Sequence, residues 1–197
     1  TVILVVINDS RYAGTCWTFS DGAAIALCPY VSNSSSEFAQ IVHHEAIGHG
    51  FGKLLDEYIY NDGWIDMYTK NDFLNSRYSF NMGYNLTIDK QDIPWSHFID
   101  HPQYPMVGVY EGGYFYSRGV WRAEENQCMN DNVPYFNGPS RELIVKRIFS
   151  TAGEIYSWDK FVKSDKYEPI SKLYYNTKNS KKKPLAPPVF VDKASSL

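Results

Sequence analysis

No apolar run in this sequence approaches the roughly 20 residues needed to cross a bilayer as a helix. The longest, Thr1 to Ile7, is strand-sized. Basic charge is not in excess either: 19 Lys and Arg stand against 22 Asp and Glu, for a net charge of −3. No positive field therefore argues for nucleic acid. Cysteine is scarce, and the count of three (Cys16, Cys28 and Cys128) is odd, so it does not establish an oxidising compartment. Cys16 and Cys28 flank an expected hairpin, which leaves two readings open: a bond across it, or buried thiols. There is no internal repeat, no signal-peptide pattern and no initial Met, and the expectation is a mature or trimmed fragment.

What is present suits a folded domain. The 197 residues are 44% apolar, enough for one well-cored domain, with or without appendages. Aromatics reach 16%, with sixteen Tyr. Such rings serve a core or a surface for sugars or peptides, because Tyr has an apolar body and a polar tip.

The run Val2–Ile7 is β-branched and continuous, the pattern of a strand buried on both faces in the middle of a sheet. Residues 15–19 and 23–28 are shorter strand candidates separated by Ser20-Asp21-Gly22, a hairpin signal. Ser34 followed by Glu37 has the capping-box form, and Phe38, Ile41, Val42 and Ala46 follow at helical spacing. A helix over about residues 36–51 is predicted. Gly48, Gly50 and Gly52 would weaken its end by roughly 1 kcal/mol each relative to Ala. Residues 60–106 are rich in Asn, Asp, Gly and Pro with poor periodicity, and a long irregular stretch of this kind is often a binding region. One helical turn is expected near Pro94–Ile99, and a hairpin pairing 106–110 with 114–116 around Glu111-Gly112-Gly113. A second helix is predicted over 141–149. Residues 1–163 read as one domain and 164–197 as an extended C-terminal tail.

The chemistry lies in His43-His44-Glu45-Ala46-Ile47-Gly48-His49. Neutral imidazole is a good metal ligand, two such rings one turn apart can grip one ion, and an adjacent Glu can take a proton from water. His44 and His49, however, are five residues apart and not four. On an α-helix that spacing turns side chains about 140° apart. A π-type turn, with its i→i+5 hydrogen bond, returns them to one face, and Gly48 eases the distortion. The sequence therefore predicts a local π widening between His44 and His49. The alternatives are a solvated histidine face, or a Glu45–His49 pair without metal.

Gly48-His49-x-x-Gly52-x-x-x-Asp56-Glu57-Tyr58 resembles the active-site segment of the bacterial immunoglobulin A peptidase family, which is metzincin-like. Two further stretches are similar to that family: residues 116–130, leading to Met129, and the helix beginning Ser140-Arg141-Glu142. The likeness spans roughly residues 40–150. It implies an α/β (α+β) fold, with a mixed twisted sheet over the active helix, an irregular lower half and a C-terminal helix. It further implies strands and a helix upstream of Val2. In metzincins a Gly lies three residues after the second His, as Gly52 does here, and lets the chain return with a third ligand. The position six after His49 is Leu55, which cannot bind metal. Asp56 is the favoured third ligand, with Glu57 second.

The resemblance thus implies a zinc endopeptidase that is secreted, cell-surface or periplasmic in a bacterium and acts on a protein or peptide substrate. No nucleic-acid or membrane partner is expected, and a monomer is favoured. Zinc would be held by His44, His49 and Asp56, with Glu45 as general base and Met129 beneath the metal without binding it. Tyr135 is a further candidate at the oxyanion, and strand 23–28 at an extended substrate. The competing expectation is a non-catalytic, metalloprotease-like module that binds host protein or glycan.

Overall fold

The computed structural model describes residues 1–30, 35–166 and 185–192. β1 (Val2–Ile7) runs parallel to β3 (Ala24–Pro29). β3 is antiparallel to β2 (Thr15–Phe19), and β2 is parallel to β8 (Val189–Val191), giving the order β1-β3-β2-β8. The hairpin turn sits at Gly22, whose φ of 85° suits a residue without Cβ.

β1 is not the central strand that its composition suggests. Among the described residues it pairs only with β3, and Ile3 and Val6 remain 51% and 55% exposed. A β-branched run selects extended backbone, but tertiary contacts choose its neighbours. β3 takes the interior place. Both of its edges are paired, so strand 23–28 cannot receive a substrate by strand addition.

α1 (Ser35–Val42) continues into a π-helix over His43–Phe51 that packs across the first sheet. A Cβ at Gly50 would stand 3.1 Å from Val2 Cγ1, so glycine lets the helix approach the strands. Ser34, the expected cap, lies outside the described residues. Cys16, Ala24, Ala26 and Cys28 meet Ile41 and Ala46 in the upper core. Cys16, Cys28 and Cys128 are all free and buried, so the bonded alternative for Cys16 and Cys28 is set aside.

A second mixed sheet pairs β4 (Ile59–Trp64) in parallel with β7 (Phe115–Arg122). β5 (Leu86–Thr87) and β6 (Tyr110–Gly113) are antiparallel to β7. The expected hairpin at 106–116 exists, but its strands lie further along, because Tyr114 turns the chain with a φ of 44°. The stretch 60–106 is less irregular than expected. It contains α2 (Met67–Phe80), capped by Asp66 accepting from Thr69 N and ended by Asn81 at φ 52°. The helix shows no apolar stripe because only Phe73, Ser76 and Phe80 are buried. Burying each Phe contributes about 1.5–3 kcal/mol. The turn near Pro94 is a short 3-10 segment, Ser96–Phe98.

α3 (Cys128–Asp131), α4 (Gly138–Ala152) and α5 (Trp158–Ser164) follow. With two mixed sheets and five α-helices among the described residues, the fold is mixed α/β, of the α+β kind. Of the expected tail, 167–184 and 193–197 lie outside the described residues. Residues 185–192 are extended, but they are docked through β8 and through the buried Leu185. No described helix is long and apolar enough to cross a membrane.

α4 begins at Asn137, which is fully buried, accepts from Ser140 N at 2.9 Å and donates its own N–H to Gln127 Oε1 at 3.1 Å. Asn137→Ala removes the cap and should cost about 1–2 kcal/mol. Urea denaturation gives the difference; an unchanged midpoint would mean that the cap contributes nothing.

Candidate metal centre

The nine-residue π-helix includes both histidines of interest. Its i→i+5 pattern is visible where Gly52 N donates to Ile47 O at 2.7 Å. The predicted widening is therefore present, and it extends past His49. His44 and His49 end on one face: their ring centroids are 4.8 Å apart and their Nε2 atoms 3.1 Å apart. His43, by contrast, faces solvent.

Gly48 sits between the two rings in sequence, and its missing side chain has a structural reason. A Cβ there would fall 2.4 Å from the sulfur of Met129. Met129 is fully buried and packs against the middle of the π turn. Its neighbour Cys128 offers its carbonyl oxygen to His44 Nδ1 at 3.1 Å.

The chain leaves the helix through Gly52 and Lys53. It is Lys53, at φ 56°, that makes the left-handed turn. Gly52 keeps a helical backbone; its role is close approach, since a Cβ would meet Ile144 Cγ1 of α4 at 2.9 Å. Leu54 O then accepts from His49 Nδ1 at 2.7 Å, and Asp56 reaches the imidazoles. Asp56 Oδ1 lies 2.9 Å from His44 Nε2 and 3.3 Å from His49 Nε2.

Both Nδ1 atoms face carbonyl oxygens, which only an N–H can satisfy. In the neutral rings both Nε2 atoms then carry lone pairs. Two lone pairs and a carboxylate oxygen thus converge with no donor among them, an arrangement that calls for a cation or a shared proton. Donors about 2.0–2.1 Å from a tetrahedral ion stand about 3.3 Å apart, close to the spacing seen here. The buried group His44, His49 and Asp56 could hold a metal ion. Burial alone would raise the Asp56 carboxyl; rings that carry the shared proton outweigh burial and hold the group below the usual carboxylate range.

Glu45 is fully buried, and neither of its carboxyl oxygens has a hydrogen-bond partner. It lies under Gly14, where a Cβ would come within 2.7 Å of Oε1. Burial pushes its carboxyl up to about 8; His44 opposes the rise and Asp56 adds to it.

Glu57, the second-ranked ligand, does not join this group. Its Oε1 accepts from Asn85 Nδ2 at 2.9 Å and from Gln127 Nε2. Asn85 also closes both backbone groups of Leu55, each at 2.9 Å. Glu57 N donates to Met129 O at 2.8 Å. The residues on either side of Asp56 are thereby tied to the turn under the helix. Leu55 is a core residue of the lower cluster. Tyr135 turns its hydroxyl to Glu124, at 3.0 and 3.2 Å.

One contributor escaped the sequence reading, and another was quoted in a motif without a role. Asn85 carries no motif, and its clamp exists only once the chain has folded. Tyr58 stacks on His44 at 6.4 Å between centroids and donates its hydroxyl to Leu185 O at 2.8 Å. Its place in the motif ending Asp56-Glu57-Tyr58 was the signal, but the motif assigned it no contact.

Gly48→Ala forces its methyl onto Met129 and should cost about 1–3 kcal/mol. Met129→Ala should cost about 2–5 kcal/mol through the cavity it leaves. Because the second change makes room for the first, the double variant should lose less than the sum. Additive losses in equilibrium denaturation would mean that the two positions do not press on each other.

Glu124 supplies a pH test. Burial raises its carboxyl from 4.5 to about 7, although Tyr135 opposes the shift. Between those values the folded state holds a proton that the unfolded state has released, so stability falls as pH rises through the window. The full penalty is on the order of 3 kcal/mol. Glu124→Gln should flatten the fall in Tm between pH 5 and pH 8, and an equally steep slope would count against it.

The chain matches no protein-family model, and no curated protein matches it, so the functional reading rests on this geometry and on the sequence motifs.

Proposed function

We propose that the chain is a zinc-dependent endopeptidase of the metzincin-like kind, acting on extracellular proteins. The observation that supports this best is the three-acceptor convergence of His44, His49 and Asp56 beside an unpartnered buried carboxylate. Two imidazoles and one carboxylate suit zinc, and three protein ligands leave a position for the substrate side. A zinc ion held there would supply Lewis acidity, polarising a peptide carbonyl and acidifying water.

The protein's own residues do the rest. The carbonyls of Cys128 and Leu54 fix each imidazole by its Nδ1–H, so that both Nε2 atoms face inward. Glu45 has no other hydrogen bond to break. A carboxylate oxygen of Glu45 takes a proton from the attacking water and passes it to the nitrogen of the leaving amine. Its raised affinity for protons suits the second transfer, and a cation at the triad would moderate it. Met129 fills the space beneath the π turn and keeps water from that side.

A non-catalytic binding module is the second reading. The observation on its side is that His44, Glu45, His49 and Asp56 are all completely buried. Glu45 separates the two, because a purely structural metal needs no free base next to it.

Elemental analysis of purified protein should find about one zinc per chain, lost in His44→Ala and His49→Ala. Glu45→Gln should keep the zinc while cleavage of a broad peptide library falls about 10²–10⁴-fold, the range for general base catalysis. A chain without any divalent metal sinks the site. A zinc-bound wild type that cleaves nothing favours the binding module, and a Glu45→Gln variant that loses its zinc makes Glu45 a ligand.

A further inference from the structure

The donors and Glu45 are buried to the last atom, so no peptide reaches them unless part of the chain moves. Two residues flank them: Gly14 lies over Glu45, and Tyr58 stacks on His44. The segment 185–192 touches both. Ala186 N donates to Gly14 O at 3.0 Å, and Tyr58 Oη donates to Leu185 O at 2.8 Å. Thr15 Oγ1 donates to Pro187 O at 3.2 Å. Leu185 is 1% exposed and joins the apolar cluster of Cys16, Ile41 and Ala46. The segment then pairs with β2 from Trp17–Val189 to Phe19–Val191, and Phe190 packs on Phe80 at 4.9 Å. It is an extended peptide laid along the outer edge of β2, the strand that follows Gly14.

We propose that residues 185–192 are an internal inhibitory strap, which lies along the edge an extended peptide would use and must leave before the site can act. The inference rests on the peptidase reading. The attachment is of a kind that can open. β8 is three residues long and at the end of its sheet, and Pro187 and Pro188 have no N–H to give to β2. Short edge elements with few buried anchors belong to the low end of local stability.

The register offers a reversible lock. Trp17 and Val189 are direct partners and are 43% and 42% exposed, so Trp17→Cys with Val189→Cys joins strap to strand outside the core. The native thiols are buried and do not compete. In the full-length double variant, two quantities are followed with the disulfide formed and then reduced. One is diethyl pyrocarbonate modification of His44 and His49 in metal-free protein, located by mass spectrometry. The other is hydrolysis of a peptide library by zinc-loaded protein. Reduction should speed both at least tenfold, and Leu185→Asp should speed both without any lock. Equal histidine modification with the lock closed and open overturns the strap, as does measurable hydrolysis that is equally fast in both states. Modification that follows the lock, with no hydrolysis in any state, upholds the strap as a gate and overturns the peptidase reading instead. Should Leu185→Asp unfold, the reducible pair still decides.

Discussion

Two imidazoles five residues apart must share one face of one helix, and much of the site follows from that. A regular α-helix would set them about 140° apart. The chain widens to a π-helix over His43–Phe51, which brings the Nε2 atoms to 3.1 Å. Widening a helix costs main-chain hydrogen-bond quality and leaves a bulge to be filled. Met129 fills it, with its sulfur against the bare α-carbon of Gly48. The same turn lends the Cys128 carbonyl to His44, so one loop both supports the bulge and orients a ring.

Asp56 is held by a different device. A carboxylate with no exposed surface needs its charge compensated, and a cation or a proton shared with the two imidazoles does that. Its position comes from its neighbours. Asn85 satisfies both backbone groups of Leu55 and also binds Glu57, while Glu57 N reaches Met129 O. Helix, exit loop and Met129 turn are thus one connected polar network, in which Asp56 Oδ2 and Glu57 Oε2 alone of the two carboxylates' oxygens have no hydrogen-bond partner. It also explains why Glu57, a plausible ligand by chemistry, is not one: burial pushes its carboxyl up to about 7, and its Oε1 is spent on Asn85 and Gln127.

What could be read beforehand was what spacing alone decides. If His44 and His49 were to face one ion, their interval required a π turn, and Leu55 excluded itself as a ligand by chemistry. Asp56 over Glu57 was a preference from the sequence, and the geometry places Asp56 at the imidazoles. Partner choice was not legible. The run Val2–Ile7 looked central and is an edge strand, because β-branching specifies backbone and not neighbours. α2 escaped because most of its surface meets water, so its apolar positions make no stripe; its caps, Asp66 and Asn81, were the stronger signal. Asn85 and Tyr58 act through contacts distant in sequence or perpendicular to it, and no local pattern announces such contacts.

The centre sits where the two sheets meet. His44 and His49 come from the helix packed on the first sheet. Asp56 comes from the loop that enters β4 of the second, and Met129 from the chain that follows β7. Tertiary packing fixes that seam from both sides: Gly52 lets α4 press on the helix exit, and Gly83 admits Leu55 into the lower cluster, where a Cβ would stand 2.5 Å from it. Residues 185–192 cross the same seam, with Leu185 in the upper cluster and Phe190 against the lower one. Asp56 and the imidazoles are supplied from opposite sides of the seam, so their spacing depends on how the two halves are seated. The donor triad is therefore a sensitive gauge of how the halves are seated, and the segment that spans them is placed to influence it.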